Sequence, residues 1–185
     1  MKASPVNTPD IIPVNDAISL RAVDEIFVAP LYQLTLKNKA WLQQTLNWPQ
    51  FVNEEADTRQ TVQGNVMLHQ RGYAKMYLIF HHEALIGVLS FNLIEPLNKT
   101  AYIGYWLDED AQGQGIVSRS LQALMQHYVE RGELRRFVIK CRVDNASSNA
   151  LAVRNGFSLE GCLKQAEYLN GAYDDQNIYA RIFSE

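Results

Sequence analysis

Positive charge is not in excess in this chain of 185 residues. Its 17 Lys and Arg against 20 Asp and Glu leave a formal net charge of −3. The broad basic field that a nucleic acid or an anionic membrane would ask for is missing. So is any apolar run approaching the 18 residues of a membrane-spanning helix. Two cysteines, Cys141 and Cys162, are too few for a disulfide framework. The four histidines, His69, His81, His82 and His127, read as helix or hairpin surface residues without metal-ligand spacing, so no metal site is expected. No internal repeat and no linker divides the chain. Met1 to Asn15 carries Pro5, Pro9 and Pro13 and lacks a signal peptide's apolar core. Residues 1–15 therefore read as a disordered leader or cloning scar before one domain over 16–185, with the cytoplasm as its place.

What is present is ordinary for a globular domain: 47% hydrophobic and 20% charged residues. A chain of this length buries about 70% of its unfolded surface without staples. Ile18 to Val23 alternates as a strand, and Asp24 can cap a helix running to about Lys37. Trp41 to Phe51 is aromatic and broken by Pro49, which suggests a short helix and a turn. Ala56 to Arg71 reads as a helix started near Thr58 and stopped by Gly72. Lys75 to His81 and Ala84 to Leu93 form a hairpin across His82-Glu83. Later come a strand over Arg135 to Val143 and a short helix from Asn145 to Gly156. Two last strands, Phe157 to Tyr168 and Tyr173 to Phe183, turn at Asn170-Gly171.

The centre of the chain carries the first functional signal. Thr100 to Leu107 is a β-branched and aromatic strand, ended by Asp108-Glu-Asp-Ala. Gln112-Gly-Gln-Gly-Ile-Val-Ser118 follows, and then Leu121, Leu124, Met125 and Tyr128 mark one face of a helix. Glycines between a strand and a helix let backbone N–H groups approach a ligand, and the helix N-terminus adds donors and positive potential. That combination binds phosphate. The loop lacks the Gly-Lys-Ser/Thr ending of an NTPase loop and the third glycine of the dinucleotide fingerprint.

Gln112, Gly115 and Val117 resemble the acyl-coenzyme A signature of the GNAT acetyltransferases, Gln/Arg-x-x-Gly-x-Gly/Ala, with Val117 larger than the usual residue. Asn145-Ala-Ser-Ser148 with Gly156-Phe157 resembles that family's second motif at the family's distance. Ile103-Gly-Tyr-Trp-Leu107, Glu160-Gly161, Leu46-Asn-Trp-Pro-Gln-Phe51 and Thr61 to Gly72 are similar to its Rim branch, which acetylates protein N-termini. The likeness runs from about Leu20 to Arg181. It implies the GNAT fold, an α/β (α+β) domain whose mixed sheet splays after the central strand and is flanked by helices. It implies acetyl-coenzyme A as co-substrate and the N-terminal serine of the ribosomal stalk protein as acceptor. A homodimer is implied too, with no nucleic acid or membrane among the partners.

The resemblance also assigns residues. Trp106 and Leu107 would meet the pantetheine arm along the strand. Gln112, Gly113, Gln114, Gly115, Ile116, Val117 and Ser118 would hold the diphosphate, and Cys141, Asn145 and Ser148 would flank the thiol. Tyr102 stands where relatives place a glutamate, and Ala152 where many place a tyrosine acid. That shifts the expected base to Glu167, with Glu160 read instead as an arginine partner, and leaves Ser148 as the nearest hydroxyl for the departing thiolate. The demand on a base is modest. An α-amine of pKa about 7.8 is roughly one-seventh neutral at pH 7, against about one lysine amine in 2,500. No histidine lies near Cys141 in sequence, so direct transfer is expected rather than an acyl-cysteine. Trp41, Trp48, Phe51 and the helix from Ala56 are candidate walls of an acceptor trough, with Arg59 or Arg71 as candidate anchors for an acidic partner. Two rivals stand beside this reading: a small-amine acetyltransferase acting on a polyamine or aminoglycoside, and a catalytically silent coenzyme-binding module. An acetylation assay on peptide and amines separates the first, and binding without turnover would mark the second.

Overall fold

The structure is a computed structural model, and it describes residues 10–184. Eight strands form a single sheet in the order β1-β2-β3-β4-β5-β6-β8-β7. They are β1 (Ile11–Pro13), β2 (Ile18–Ala22), β3 (Lys75–His81), β4 (Ala84–Glu95), β5 (Thr100–Leu107), β6 (Arg136–Arg142), β7 (Ser158–Leu169) and β8 (Ala172–Ile182). Among the described residues only the β5·β6 pairing is parallel. The helices are α1 (Val28–Leu42), α2 (Glu55–Arg71), α3 (Ile116–Glu130) and α4 (Ala146–Arg154). This mixed sheet flanked by helices is the α/β (α+β) arrangement expected of a GNAT domain.

Alternation along the central strands divides the core into two. Tyr77 and Ile79 of β3 join Phe91, Leu121, Leu124, Met125 and Phe137 on the α3 face. Leu78 and Phe80 join Val28, Leu31, Leu34, Val62 and Trp106 on the α1/α2 face. Because helices cover both faces, β3 reads as a nearly continuous apolar run rather than an alternating one. The α3 stripe of Leu121, Leu124 and Met125 is fully buried, as its spacing required.

Several boundaries differ from the sequence reading. Ile11–Pro13 is strand β1, with Ile12 paired to Leu20 and buried, so that part of 1–15 is no disordered leader. Residues 1–9 lie outside the described part of the chain. Helix α1 begins at Val28 and continues to Leu42, taking in Trp41; Pro30 sits in its first turn, where its missing N–H costs nothing. Helix α2 begins at Glu55, one residue before the expected Ala56, through a capping box between Glu54 and Asp57, and it stops at Gly72 as expected. Among the described residues, no helix is long and apolar enough to cross a membrane.

His69, expected on a surface, is only 8% exposed. Its Nδ1 accepts from Met76 N at 3.2 Å, and its Nε2 has no partner among the described residues. Burial, with Lys75 nearby, pushes its pKa down to about 4, so the folded protein holds it neutral. The unfolded chain takes up a proton near pH 6.5 and the folded one near 4. The stabilisation is therefore complete above pH 6.5 and is lost as pH falls towards 4. Chemical denaturation at pH 7.0 and 4.5 should show a loss of about 2 kcal/mol that His69→Phe reduces. An unchanged pH dependence in the variant would count against this.

Candidate active site

β5 pairs along its whole length with β4, from Thr100↔Glu95 to Leu107↔Gly87. With β6 it pairs only from Thr100↔Arg136 to Ile103↔Ile139. Beyond Ile103 the two strands part, and β6 stays with β8 through Arg142↔Gln176. The edge of Gly104–Leu107 that would face β6 is left without a strand partner. A cavity of about 570 Å³ occupies this gap and reaches both faces of the sheet. Its walls come from β5, β6, the loop before α3, the start of α4, the C-terminal end of α1, and Glu167 and Gln176 of the last hairpin.

The loop at one end of the gap has the form its glycines require. Gly113 and Gly115 both lie in the left-handed region, at φ +76° and +70°. Gly115 is the N-cap of α3, and Arg119 N is the amide that closes back onto its carbonyl, at 3.1 Å. The first-turn amides of Ile116, Val117 and Ser118 therefore have no helical acceptor behind them. A helix start with free donors, opening on a cavity, suits a diphosphate. Gln112 holds the loop to the strand, its Nε2 donating to Leu107 O at 3.3 Å. Asn155, at the end of α4, donates to Ser118 Oγ at 3.0 Å and accepts from Gln122 Nε2 at 3.1 Å. From the other side, Lys37 of α1 bridges Asp108 and Asp110, each at 2.8 Å, and Asn38 Oδ1 accepts from Glu109 N at 3.0 Å. Burial pushes the Asp108 carboxyl up, but Lys37 and the Asp110 amide outweigh it and hold it below its ordinary range.

Of the residues named from the sequence, Trp106, Leu107, Gln112, Gly113, Gly115, Ile116, Val117, Ser118, Cys141, Asn145, Ser148 and Glu167 all border the cavity. Gln114 does not; it is exposed, and its carbonyl accepts from Arg119 Nη1 at 2.7 Å. Asn145 caps α4, its Oδ1 accepting from Ser148 N at 3.2 Å. Ser148 Oγ lies 2.8 Å from the Tyr105 hydroxyl. Cys141 is buried, and burial, with the Glu167 charge nearby, pushes its thiol up to about 11. A thiol at that pKa is a poor nucleophile near neutral pH.

Glu167 reaches the cavity through an irregularity in the last hairpin. Leu163 pairs with Gln176 and Glu167 with Asp174, so four steps along β7 run against two along β8. The extra residues turn at Gln165, at φ +49°. Asp175 holds that turn, accepting from Gln165 N at 2.9 Å and from Lys164 Nζ at 3.1 Å. Those two donors lower its pKa. Glu167 Oε2 accepts from Gln176 Nε2 at 3.1 Å. The hairpin tip meets α1, where Asn170 Nδ2 donates to Gln43 O at 3.2 Å.

Other candidates fall elsewhere. Arg136 holds Glu160, Nη1 to Oε2 at 3.0 Å, and lowers its pKa, the partner role expected of it. Tyr102 donates to Glu95 at 3.2 Å. Ala152 is fully buried. Trp41 borders the cavity, whereas Trp48 packs on Trp106 with ring centroids 6.0 Å apart, and Phe51 is 68% exposed. Arg59 pairs with Glu55 within α2, and neither it nor Arg71 borders the cavity. Sequence reasoning missed Tyr105, which reads there only as one more aromatic of a buried strand. It also missed Asp175 and the clamp of Lys37 and Asn38.

Comparison with known proteins agrees with this geometry. A family model described as an acetyltransferase (GNAT) domain matches residues 18–158. The ribosomal-protein-serine acetyltransferase of Escherichia coli K12 is 71% identical over 173 residues, 94% of this chain and 97% of the relative. A solved structure of RimL, a ribosomal L7/L12 alpha-N-protein acetyltransferase in a disulfide with coenzyme A, superposes with a TM-score of 0.92. It is 69% identical and covers 94% of this chain and 98% of its own. The microcin C7 self-immunity acetyltransferase MccE, solved with acetyl-CoA and AMP, superposes with a TM-score of 0.92. It is 44% identical over 95% of this chain and 98% of its own. With a splayed sheet, a glycine-capped helix at its mouth and these relatives along nearly its whole length, the chain belongs to the GNAT acetyltransferase family.

Proposed function

We propose that this protein moves an acetyl group from acetyl-coenzyme A directly to the α-amine of an N-terminal serine, that of the ribosomal stalk protein. The reading rests on 71% identity over 94% of the chain to an enzyme of that activity. The residues present fit the coenzyme. The loop of Gly113 to Ser118 offers amides to a diphosphate, and the free edge of Gly104–Leu107 offers backbone groups to an extended arm. When bound, the coenzyme supplies the activated thioester.

Glu167 takes the proton that the amine nitrogen loses as its new bond to the acetyl carbon forms, directly or through a water. As the carbon–sulfur bond breaks, Ser148 donates a hydrogen bond that stabilises the departing thiolate, which takes its proton from water. The two groups stand on opposite faces of the gap. By register Glu167 shares the face of Asp174, Gln176 and Arg142, whereas Ser148 meets Tyr105 on the α3/α4 face. Cys141, the cysteine that borders the cavity, is a wall of the thiol passage rather than a nucleophile; it is the group that could form a coenzyme disulfide on oxidation. We read the chain from strand β1 onward as one catalytic domain acting in the cytoplasm. We read the assembly as a homodimer: β7 is an edge strand, and its hairpin exposes Leu159, Tyr168 and Tyr173 at 58%, 52% and 69%.

Mass spectrometry of the stalk protein after incubation with enzyme and acetyl-coenzyme A tests the reading. One added acetyl group on the first residue supports it; transfer only to polyamines or aminoglycosides overturns the substrate. The Asp175 turn gives a second check. Asp175→Ala should leave coenzyme affinity intact and lower kcat about tenfold, because Glu167 loses its fixed approach. Steady-state kinetics with a serine-starting peptide would measure this, and an unchanged kcat would refute it.

A further inference from the structure

Tyr105 follows Ile103, the last β5 residue paired with β6, so its side chain stands in the wall of the gap rather than behind a neighbouring strand. Its hydroxyl lies 2.8 Å from Ser148 Oγ, with which it makes its sole hydrogen bond among the described residues. Ser148 Oγ likewise has no other partner there. Ser148 stands in the first turn of α4, and the residue four back, Asp144, lies outside the helix. Ser148 therefore has no helical carbonyl in the usual place to fix its hydroxyl.

Either hydroxyl could be the donor, and the phenol is the more acidic of the two. Phenols donate readily, and a partly buried O–H with one neighbour within reach donates to it. Burial also raises the Tyr105 pKa, which keeps that proton in place. With Tyr105 as the donor, Ser148 Oγ accepts and its own hydrogen is left to point into the cavity. We propose that Tyr105 is the positioning residue of Ser148: by donating from β5 it fixes the serine oxygen and aims the serine proton at the sulfur of the thioester. Tyr105 keeps its proton throughout. Ser148 keeps its own as well, lending it as a hydrogen bond to the thiolate, which is protonated by water.

The inference rests on the role proposed for Ser148, and a double-mutant cycle separates the two. kcat is measured with a serine-starting peptide for the parent, Tyr105→Phe, Ser148→Ala and the double variant, together with coenzyme A affinity for each. Ser148→Ala should lower kcat about a hundredfold, and Tyr105→Phe about tenfold at unchanged coenzyme affinity. The double variant should be no slower than Ser148→Ala, because Tyr105 acts only through that hydroxyl. Losses that multiply in the double variant would overturn the inference, as would a Tyr105→Phe enzyme of full rate. A Tyr105→Phe enzyme that lost coenzyme affinity along with its rate would show a packing role and overturn it equally. Full activity in Ser148→Ala would instead overturn the reading of Ser148, and this inference with it.

Discussion

Glu167→Gln is expected to lower kcat by about a hundredfold or more while coenzyme A binds as before. The substitution keeps the shape and removes the acceptor of the amine's proton. Gln176 Nε2, which now donates to Glu167 Oε2, would face an amide that still offers an oxygen, so the hairpin should stay in place. Glu167 stands on the opposite side of the gap from the glycine loop's anchors on α3 and α4, which is why affinity and rate should part. The pH profile should change in a stated direction. Without its base the enzyme depends on amine that arrives neutral, so the variant's rate should climb as pH rises through about 7.8, the α-amine value. A variant with parent kcat would remove Glu167 from the mechanism.

Gly115→Val should weaken coenzyme A binding at least tenfold, or about 1.4 kcal/mol. Space is not the reason, since a Cβ there would come no closer than 3.5 Å to Arg119 Nη1. The cause is φ +70°, which a β-branched residue holds only at a cost of about 1–3 kcal/mol. The loop relieves that strain by rotating residue 115 back, which turns the donors ahead of α3 away from the diphosphate. Gly132 provides the control. It lies at φ +69° beyond the far end of α3 with nothing within 4 Å of a Cβ. Gly132→Val carries the same strain and should reduce thermal stability without touching coenzyme affinity. Equal losses of affinity in both variants would point to general loosening and against a phosphate-binding loop.

The fold was readable wherever local pattern and burial coincide. The α3 stripe, the hairpin across His82-Glu83 and the turn at Asn170-Gly171 all form as their residues suggest, with φ positive at each turn position. The glycine loop before α3 was legible because Gly113 and Gly115 lie only two positions apart in sequence. Features made by distant residues were not. Strand β1 is short, and Ile12 is buried because pairing with β2 places it in the core on the α3 face. His69 gives no local sign of burial; packing between α2 and β3 creates it. Tyr105 and Ser148 are 43 positions apart, and only the splay of β5 from β6 lets one hydroxyl find the other. The bulge that aims Glu167 depends on Asp175, 10 positions beyond the turn it holds. Motif reading could name Glu167 and Ser148 by resemblance, but not the groups that set their geometry.

The central claim is that amides between Gln112 and Ser118 hold the coenzyme's diphosphate and so place the acetyl group in the gap of the sheet. Titrating isotopically labelled protein with coenzyme A and following its amide resonances tests this most directly. Large shifts are expected at Gly113, Gly115, Ile116, Val117 and Ser118, saturating together, with Gly132 unmoved. Resonances of that loop that stay in place while coenzyme A binds elsewhere would contradict it.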